Sequence, residues 1–465
     1  MIALTLAAIA AAVDGALVRA DDTDAVLSGA VETDSRRIVA GGIFFALPGE
    51  ETDGHLFAGS AVENGAALLI VEHELEFDLP QIVVADGVLA LAALAASVVS
   101  TVRAGGRLKV IGITGSNGKT TTKNMLRAIL STQGETVAPQ GSFNNQVGVP
   151  LTLLQVTDQT RFLVVEMGAS AEGDIARLIA MVVPDISVVL KVGLAHAGEF
   201  GGIEATQRAK SEIVTGLPST ATAVLNRDDG RVAAMAGLTK ARSVWFGLDE
   251  SADVHADDLR ATATGTAFTL NADGAAHEVR LRILGEHHVM NALAAITVAR
   301  ELEVPIEATI AALGGIERAE RWRMEVLHPA EGITVINDGY NASPDSTAAA
   351  LKTLAQIIGP DQRSIAVLGE MNALGEYADE EHDRIGRLVV RLNIHQLIVV
   401  GHGARHIHNA AGLEGSWDGE SVLVDTMDEA YDLLRDELRP GDVVLVKSSN
   451  AAGLRLLGDR LGGVA

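Results

Sequence analysis

Short apolar runs bounded by turn residues alternate along this chain with longer stretches in which apolar positions return every three or four residues. That alternation is the signature of strands and helices packed in layers. Near the start, runs at Ile43 to Leu47, Ala67 to Val71 and Gln81 to Val84 read as strands, with Pro48-Gly49 and Asp53-Gly54 as turns. The opening MIALTLAAIAAAVDGAL reads as a structural helix: it is apolar but carries Asp14 and lacks the basic start of a secretion signal. From Val88 an Ala/Leu helix leads to a strand at Leu108 to Ile113, a Gly/Thr-rich loop and a helix over Lys119 to Leu130.

Further strands are expected at Arg161 to Met167, Ile186 to Val192 and Ala221 to Asn226, separated by helical stretches, which builds a parallel sheet. After Arg323 a second alternation places strands at Ile333 to Asn337, Ser364 to Leu368, Gln396 to Val400 and Asp442 to Val446. The expected fold is therefore α/β in three domains. These are a small N-terminal α/β domain (1–84), a central P-loop parallel-sheet domain (85–320) and a C-terminal doubly wound Rossmann-like domain (321–465). A length of 465 residues fits that division.

Composition narrows the choice of partners. Thirty-six Lys and Arg against 61 Asp and Glu give a net charge of −25, which repels nucleic acid and anionic membranes. With no cysteine, a metal can be held only by oxygen or imidazole. The apolar run from Val88 to Val102 is shorter than the ~20 residues a membrane-spanning helix needs. A cytoplasmic monomer without stable membrane insertion is the expectation.

Candidate chemistry concentrates in ITGSNGKTTTKNML, at a strand-to-helix junction. A glycine-rich turn there exposes backbone N–H groups at the positive end of a helix, which is a phosphate site. Thr114, Gly115, Ser116, Asn117, Gly118, Lys119, Thr120 and Thr121 are the expected nucleotide contacts. Lys119 would reach the β- and γ-phosphates, and the Thr120 hydroxyl would bind Mg²⁺. Ile113 stands where the usual pattern has its first glycine. Glu166 follows the apolar FLVV and is a candidate Mg²⁺ ligand, since a carboxylate there is costly unless paired.

TGSNGKTTTK resembles the ATP loop of the Mur ligase superfamily. TDSRRIVAGGIFFALPGEETDGHLF, SFNNQVGVPLTLL, VVEMGAS, NDGYNASPDS and VLGEMNALG extend the similarity over nearly the whole chain. Those segments are most similar to members that add D-alanyl-D-alanine to a UDP-N-acetylmuramoyl tripeptide. The resemblance implies an ATP-dependent ligase that forms an acyl phosphate, with two Mg²⁺ ions.

It further implies that His196 approaches the second Mg²⁺ and that Lys210 is a carbamylated ligand. Asn226 and Asn291 would contact adenosine. Arg323, preferred over Arg321, would stabilise the transferring phosphoryl group, and Asp338 would be an acidic nucleotide contact. Ser35 and Arg36 would meet the UDP end, Asn144 and Asn145 the muramoyl portion, and Tyr340, Asn341 and Asp345 the dipeptide.

Taken alone, most of these residues have plainer readings: a surface lysine for Lys210, an Asx turn for Asn226, an interdomain salt bridge for Arg323. The sequence departs from the family at Ala373, where MxELG has glutamate, and at VKSSN, where KGSR is usual. Rival functions are addition of a single diamino acid, folylpolyglutamate synthesis, and a nucleotide-switched binding protein without ligase activity. NDGYNASPDS argues against the first two.

Overall fold

A computed structural model describes the chain except for residues 50–51, 195–197, 199–200, 263, 319, 330–331, 415–416, 418 and 465. Three larger β-sheets organise it. The first has strands in the order Ala16–Val18, Gln81–Val83, Leu68–Val71, Ile43–Phe45 and Val31–Glu32, parallel except for its first pair. The opening segment departs from the expected single helix. Only Leu6–Ala12 is helical, capped by Thr5, whose hydroxyl accepts from Ala8 N at 3.1 Å. Asp14, at φ +50°, then turns the chain into the strand Ala16–Val18.

Nine strands form the central sheet. From one edge they run Thr136–Val137, Phe162–Glu166, Lys109–Thr114, Ile186–Val189, Thr222–Asn226, Arg242–Gly247, Val254–Thr262, Gly265–Ala272 and Ala275–Leu281. Strands Phe162–Glu166, Lys109–Thr114, Ile186–Val189 and Thr222–Asn226 are buried on both faces over nearly their whole length, which is why they read as continuous apolar runs. Residues 254–281 break the strand–helix alternation expected from sequence. They fold back as antiparallel strands in which buried Phe268, Leu270 and Ala272 alternate with half-buried neighbours, so one face meets solvent.

Strand Lys109–Thr114 lies between Phe162–Glu166 and Ile186–Val189. The chain leaves it first to one side and later to the other, so the crevice beyond its carboxyl end is a topological switch point, where open α/β sheets bind ligands.

The third sheet has the order Glu325–Leu327, Thr334–Asn337, Val443–Lys447, Ser364–Leu368, Gln396–Val400 and Glu420–Val424. It is parallel apart from its first pair, with separate apolar clusters on its two faces. Its switch point lies at the ends of Thr334–Asn337 and Val443–Lys447.

Helix Gly87–Ala104 is long and apolar enough to cross a bilayer by length and composition. Here Leu91, Leu94 and Val98 are fully buried, in one cluster with Ile9 and Ile82 from the N-terminal region and Leu153 and Ile175 from the middle of the chain.

Candidate active site

Gly115 and Gly118 have φ of +152° and +89°, and they turn strand Lys109–Thr114 directly into helix Lys119–Leu130. At Gly118 a side chain is excluded twice over: the backbone is left-handed, and a Cβ would collide with Asn291 Oδ1. Among the described residues no side chain caps this helix, which leaves its first N–H groups open to an anion. Lys119 folds back over the loop, its Nζ donating to Gly115 O at 2.7 Å, and burial lowers the pKa of its ammonium.

The third sheet closes the other side of this crevice. Asp338 follows strand Thr334–Asn337, and Lys447 ends the adjacent strand. Their ion pair is 2.6 Å long, and Lys447 Nζ also donates to Asn341 O at 2.9 Å. Between the sheets, Arg323 sits with positive φ at both Trp322 and Met324. Its Nη2 donates to Thr120 Oγ1 at 3.3 Å, its guanidinium stacks 4.3 Å from the centre of the Tyr340 ring, and its buried Nε has no partner among the described residues.

Arg321 does something different: it pairs with Asp459 at 3.0 Å and stacks on Trp322. Two further contacts bridge the crevice, Ser343 Oγ to Asn117 Oδ1 at 3.2 Å and Lys191 to Asp345 at 3.2 Å.

These groups surround a cavity of about 510 Å³ lined by Ser116 to Thr121, Asn144, Asn226, Asn291, Arg323, Asp338, Tyr340, Asn341 and Asp345. Residues far apart in sequence thus converge on one space. Asn226 Nδ2 donates to Leu190 O at 2.7 Å, and its Oδ1 accepts from Asp228 N, so the Asx turn is also present.

A second cavity of about 500 Å³ shares Ser116, Lys119 and Asn144 with the first, and is completed by Asn145, Gln146, Ser170, Asp174, Arg177 and Lys210. Lys210, on helix Ile203–Thr215, is 3% exposed. Burial, reinforced by the Lys119 charge, brings its pKa down to about 7.

Glu166 lies at the end of its strand, 2% exposed, where its Oε2 accepts from Thr120 at 3.1 Å and Ser142 at 3.0 Å. Lys123, one turn along the loop's own helix, pairs with Oε1 at 3.0 Å. A hydroxyl and one carboxylate suit Mg²⁺, which keeps waters and takes its remaining ligands from phosphates. Among the described residues no group of three His, Asp or Glu is placed to hold a metal.

Some expected residues face elsewhere. Thr114 turns its hydroxyl to Met167 O at 2.8 Å, fully buried. Ser35 is buried, while Arg36 is exposed and pairs with Asp34 at 2.7 Å; neither lines either cavity. Asn145 caps helix Gly148–Leu153 through Val147 N and Gly148 N while lining the second cavity. His196 lies outside the described residues.

Sequence reasoning missed Lys447, Lys123 and the pair His287–His288. Lys447 was visible as a charge ending an apolar strand, and Lys123 as a lysine one turn after Lys119. The histidines stood in GEHHVMNALAA, close to Asn291.

Comparison with known proteins matches three stretches of the chain. Residues 29–102 match the Mur ligase family catalytic domain, 113–299 the Mur ligase middle domain, and 322–450 the Mur ligase glutamate ligase domain. The UDP-N-acetylmuramoyl-tripeptide–D-alanyl-D-alanine ligase of Mycobacterium tuberculosis is 46% identical over 99% of this chain and 98% of its own length. Crystal structure I of MurF from Acinetobacter baumannii superposes with a TM-score of 0.88 at 31% identity, covering 99% of both chains. MurF ligase from Thermotoga maritima in complex with ADP gives 0.80 at 28% identity, covering 94% of this chain and 98% of that one. The chain belongs to the Mur ligase family, in the branch of the UDP-N-acetylmuramoyl-tripeptide–D-alanyl-D-alanine ligases.

Proposed function

We propose that this chain is an ATP-dependent ligase that joins D-alanyl-D-alanine to a UDP-N-acetylmuramoyl tripeptide, working in the cytoplasm as a monomer. One observation carries the reading: the carboxyl ends of two sheets meet around a single cavity, with Lys119 at its junction with a second cavity. ATP fills the first cavity, with its phosphates on the amides of Gly115 to Thr121. The end of the peptidyl substrate enters the second, past Asn144 and Asn145. Units 1–84, 85–320 and 321–465 then hold the UDP end, the nucleotide and the incoming dipeptide.

A free carboxylate must gain a leaving group before an amine can displace its oxygen. The peptide acid attacks the γ-phosphorus, giving an acyl phosphate and ADP; the dipeptide amine then attacks the carbonyl carbon and phosphate leaves. Lys119 and Arg323 neutralise charge on the transferring group, and Tyr340 holds the guanidinium plane in place. Asp338 fixes the hinge by accepting from Met324 N at 3.0 Å, next to Arg323.

Thr120 and Glu166 would hold Mg²⁺, which supplies charge neutralisation between the phosphates. A carbamate on Lys210, with His196, would supply ligands for a second ion. The buried Lys210 amine, with its pKa at about 7, supports that modification.

The test is phosphate release with ATP, UDP-muramoyl tripeptide and a panel of single amino acids and dipeptides. Turnover with D-alanyl-D-alanine above all others is expected. Preference for a single diamino acid, or no release with any acceptor, refutes the proposal.

A further inference from the structure

Arg323 enters the first cavity from backbone held in an unfavourable conformation. The residues on either side of it, Trp322 and Met324, have φ of +58° and +49°, in the left-handed region that side-chain-bearing residues rarely adopt. On the Met324 side the backbone N–H is held by Asp338 at 3.0 Å. On the Trp322 side the backbone N–H donates to Glu325 Oε2 at 2.9 Å, and the indole is anchored by a residue near the other end of the sequence.

That residue is Asp459, on helix Arg455–Leu461 and 6% exposed. Its two oxygens accept the Trp322 indole N–H at 3.0 and 2.9 Å. Arg321 donates to it at 3.0 Å, and the buried Asn337 amide at 3.1 Å. Asn337 passes the constraint on: its Oδ1 accepts from Gly339 N at 3.2 Å, and the next residue, Tyr340, donates its backbone N–H to Trp322 O at 3.1 Å. The helix can press this close because Gly458 has no side chain; a Cβ there would lie 2.3 Å from Asn337 Cγ. One carboxylate thus ties together the backbone that carries Arg323 and the Tyr340 ring on which its guanidinium stacks. Asp459 itself lines neither cavity.

We infer that Asp459 is a positioning residue: by holding Trp322 and Asn337 it aims the Arg323 guanidinium at the transferring phosphoryl group. The inference rests on the role proposed above for Arg323. It goes further in giving a residue that touches no substrate control over that side chain.

Steady-state kinetics of the full chain, with ADP calorimetry beside it, tests the inference. Asp459→Ala should lower kcat at least about tenfold, the scale of a misdirected charge, while the affinity for ADP stays within about threefold. Asp459→Asn keeps an acceptor oxygen for the indole and Asn337 and gives up the Arg321 pair, and should recover most of the lost kcat. In an Arg323→Ala background, Asp459→Ala should cost no more than about twofold, because the group it aims is gone.

An equal fall in kcat in both backgrounds marks a purely structural residue and overturns the inference. Unchanged kcat in Asp459→Ala, or Asn no better than Ala, overturns it too; in all three cases a large loss in Arg323→Ala alone leaves the role of Arg323 standing. If Arg323→Ala itself keeps full kcat, that role fails and the inference with it. Should Asp459→Ala fail to fold, Trp322→Phe keeps an aromatic ring and removes the donor. A fall in kcat that is absent in the Arg323→Ala background then supports the inference, and an unchanged kcat or an equal fall in both overturns it.

Discussion

The carbamate proposed for Lys210 would tie a property of the fold to the conditions under which the enzyme works. The Lys210 pKa of about 7, against an ordinary 10.5, follows from burial and the Lys119 charge. Carbamylation consumes the uncharged amine and CO₂ and releases a proton, so it is favoured above the pKa of the folded protein and lost below it.

At pH 6 an amine of pKa 7 is about one-tenth uncharged, whereas an ordinary lysine is uncharged in only about three molecules in 10⁵. Raising CO₂ can therefore repopulate the carbamate at pH 6, where an ordinary lysine would stay protonated. The expected outcome is that CO₂-depleted enzyme loses activity as pH falls through about 7. Bicarbonate should restore it at pH 6 and matter much less at pH 8, and Lys210→Met should be inactive and unresponsive. Ligase assays in degassed buffer, paired with ¹³C spectra of enzyme equilibrated with ¹³CO₂, measure both halves. Activity at pH 6 indifferent to CO₂, with no carbamate carbon in active enzyme, would refute the reasoning.

Gly118→Ala forces a Cβ into left-handed backbone at φ +89° and against Asn291, costing about 1–2 kcal/mol for the conformation alone; calorimetry should show ADP binding weakened by at least about tenfold. Arg323→Ala removes the guanidinium that donates to Thr120, and kcat should fall on the order of 10³-fold with a smaller change in KM for ATP, read by steady-state kinetics. His287 is held neutral by burial, with its pKa lowered to about 4. The unfolded chain takes up its proton first, so stability should fall as pH drops from about 6.5 towards 4, by at most about 3 kcal/mol; urea titrations of the native protein and His287→Phe at pH 7 and pH 5 should differ in that sense.

The elements that the sequence showed clearly are those buried on both faces or capped by turn chemistry. Lys119–Leu130, Ser364–Leu368 and Gln396–Val400 lie where their apolar runs placed them. What escaped were elements whose burial is half-sided or tertiary. Strands Val254–Thr262 and Ala275–Leu281 are rich in polar residues because one face is wet, and Val31–Glu32 is too short for any periodicity to register.

The same holds at the site. The loop stood out in the sequence because its positive-φ turns at Gly115 and Gly118 demand glycine. Lys447 did not, because its importance comes from lying beside Asp338 across two strands about a hundred residues apart, a juxtaposition that no local pattern encodes.

The contacts that bring the third sheet onto the loop are individually weak. Lys191–Asp345 is an exposed pair, with side chains 46% and 38% accessible, worth about 0–1 kcal/mol. Ser343–Asn117 and Arg323–Thr120 are long single hydrogen bonds at 3.2 and 3.3 Å, worth about 1 kcal/mol each at most. Against this, Lys119, Arg323 and Lys447 all line one cavity, and of the three only Lys447 has, among the described residues, a carboxylate close enough to neutralise it directly. Closure without a ligand therefore brings cations together for little return, and a polyanion between the sheets reverses the balance. The protein-only contacts set the geometry of the closed arrangement, while the charge on the nucleotide supplies most of its stability. Lys191→Ala should accordingly leave the affinity for ADP within about threefold of the original, since the cation that is lost, although it lines the cavity, is half-exposed and already met by Asp345. A much larger drop in calorimetry would show that the rim, rather than the phosphates, holds the two sheets together.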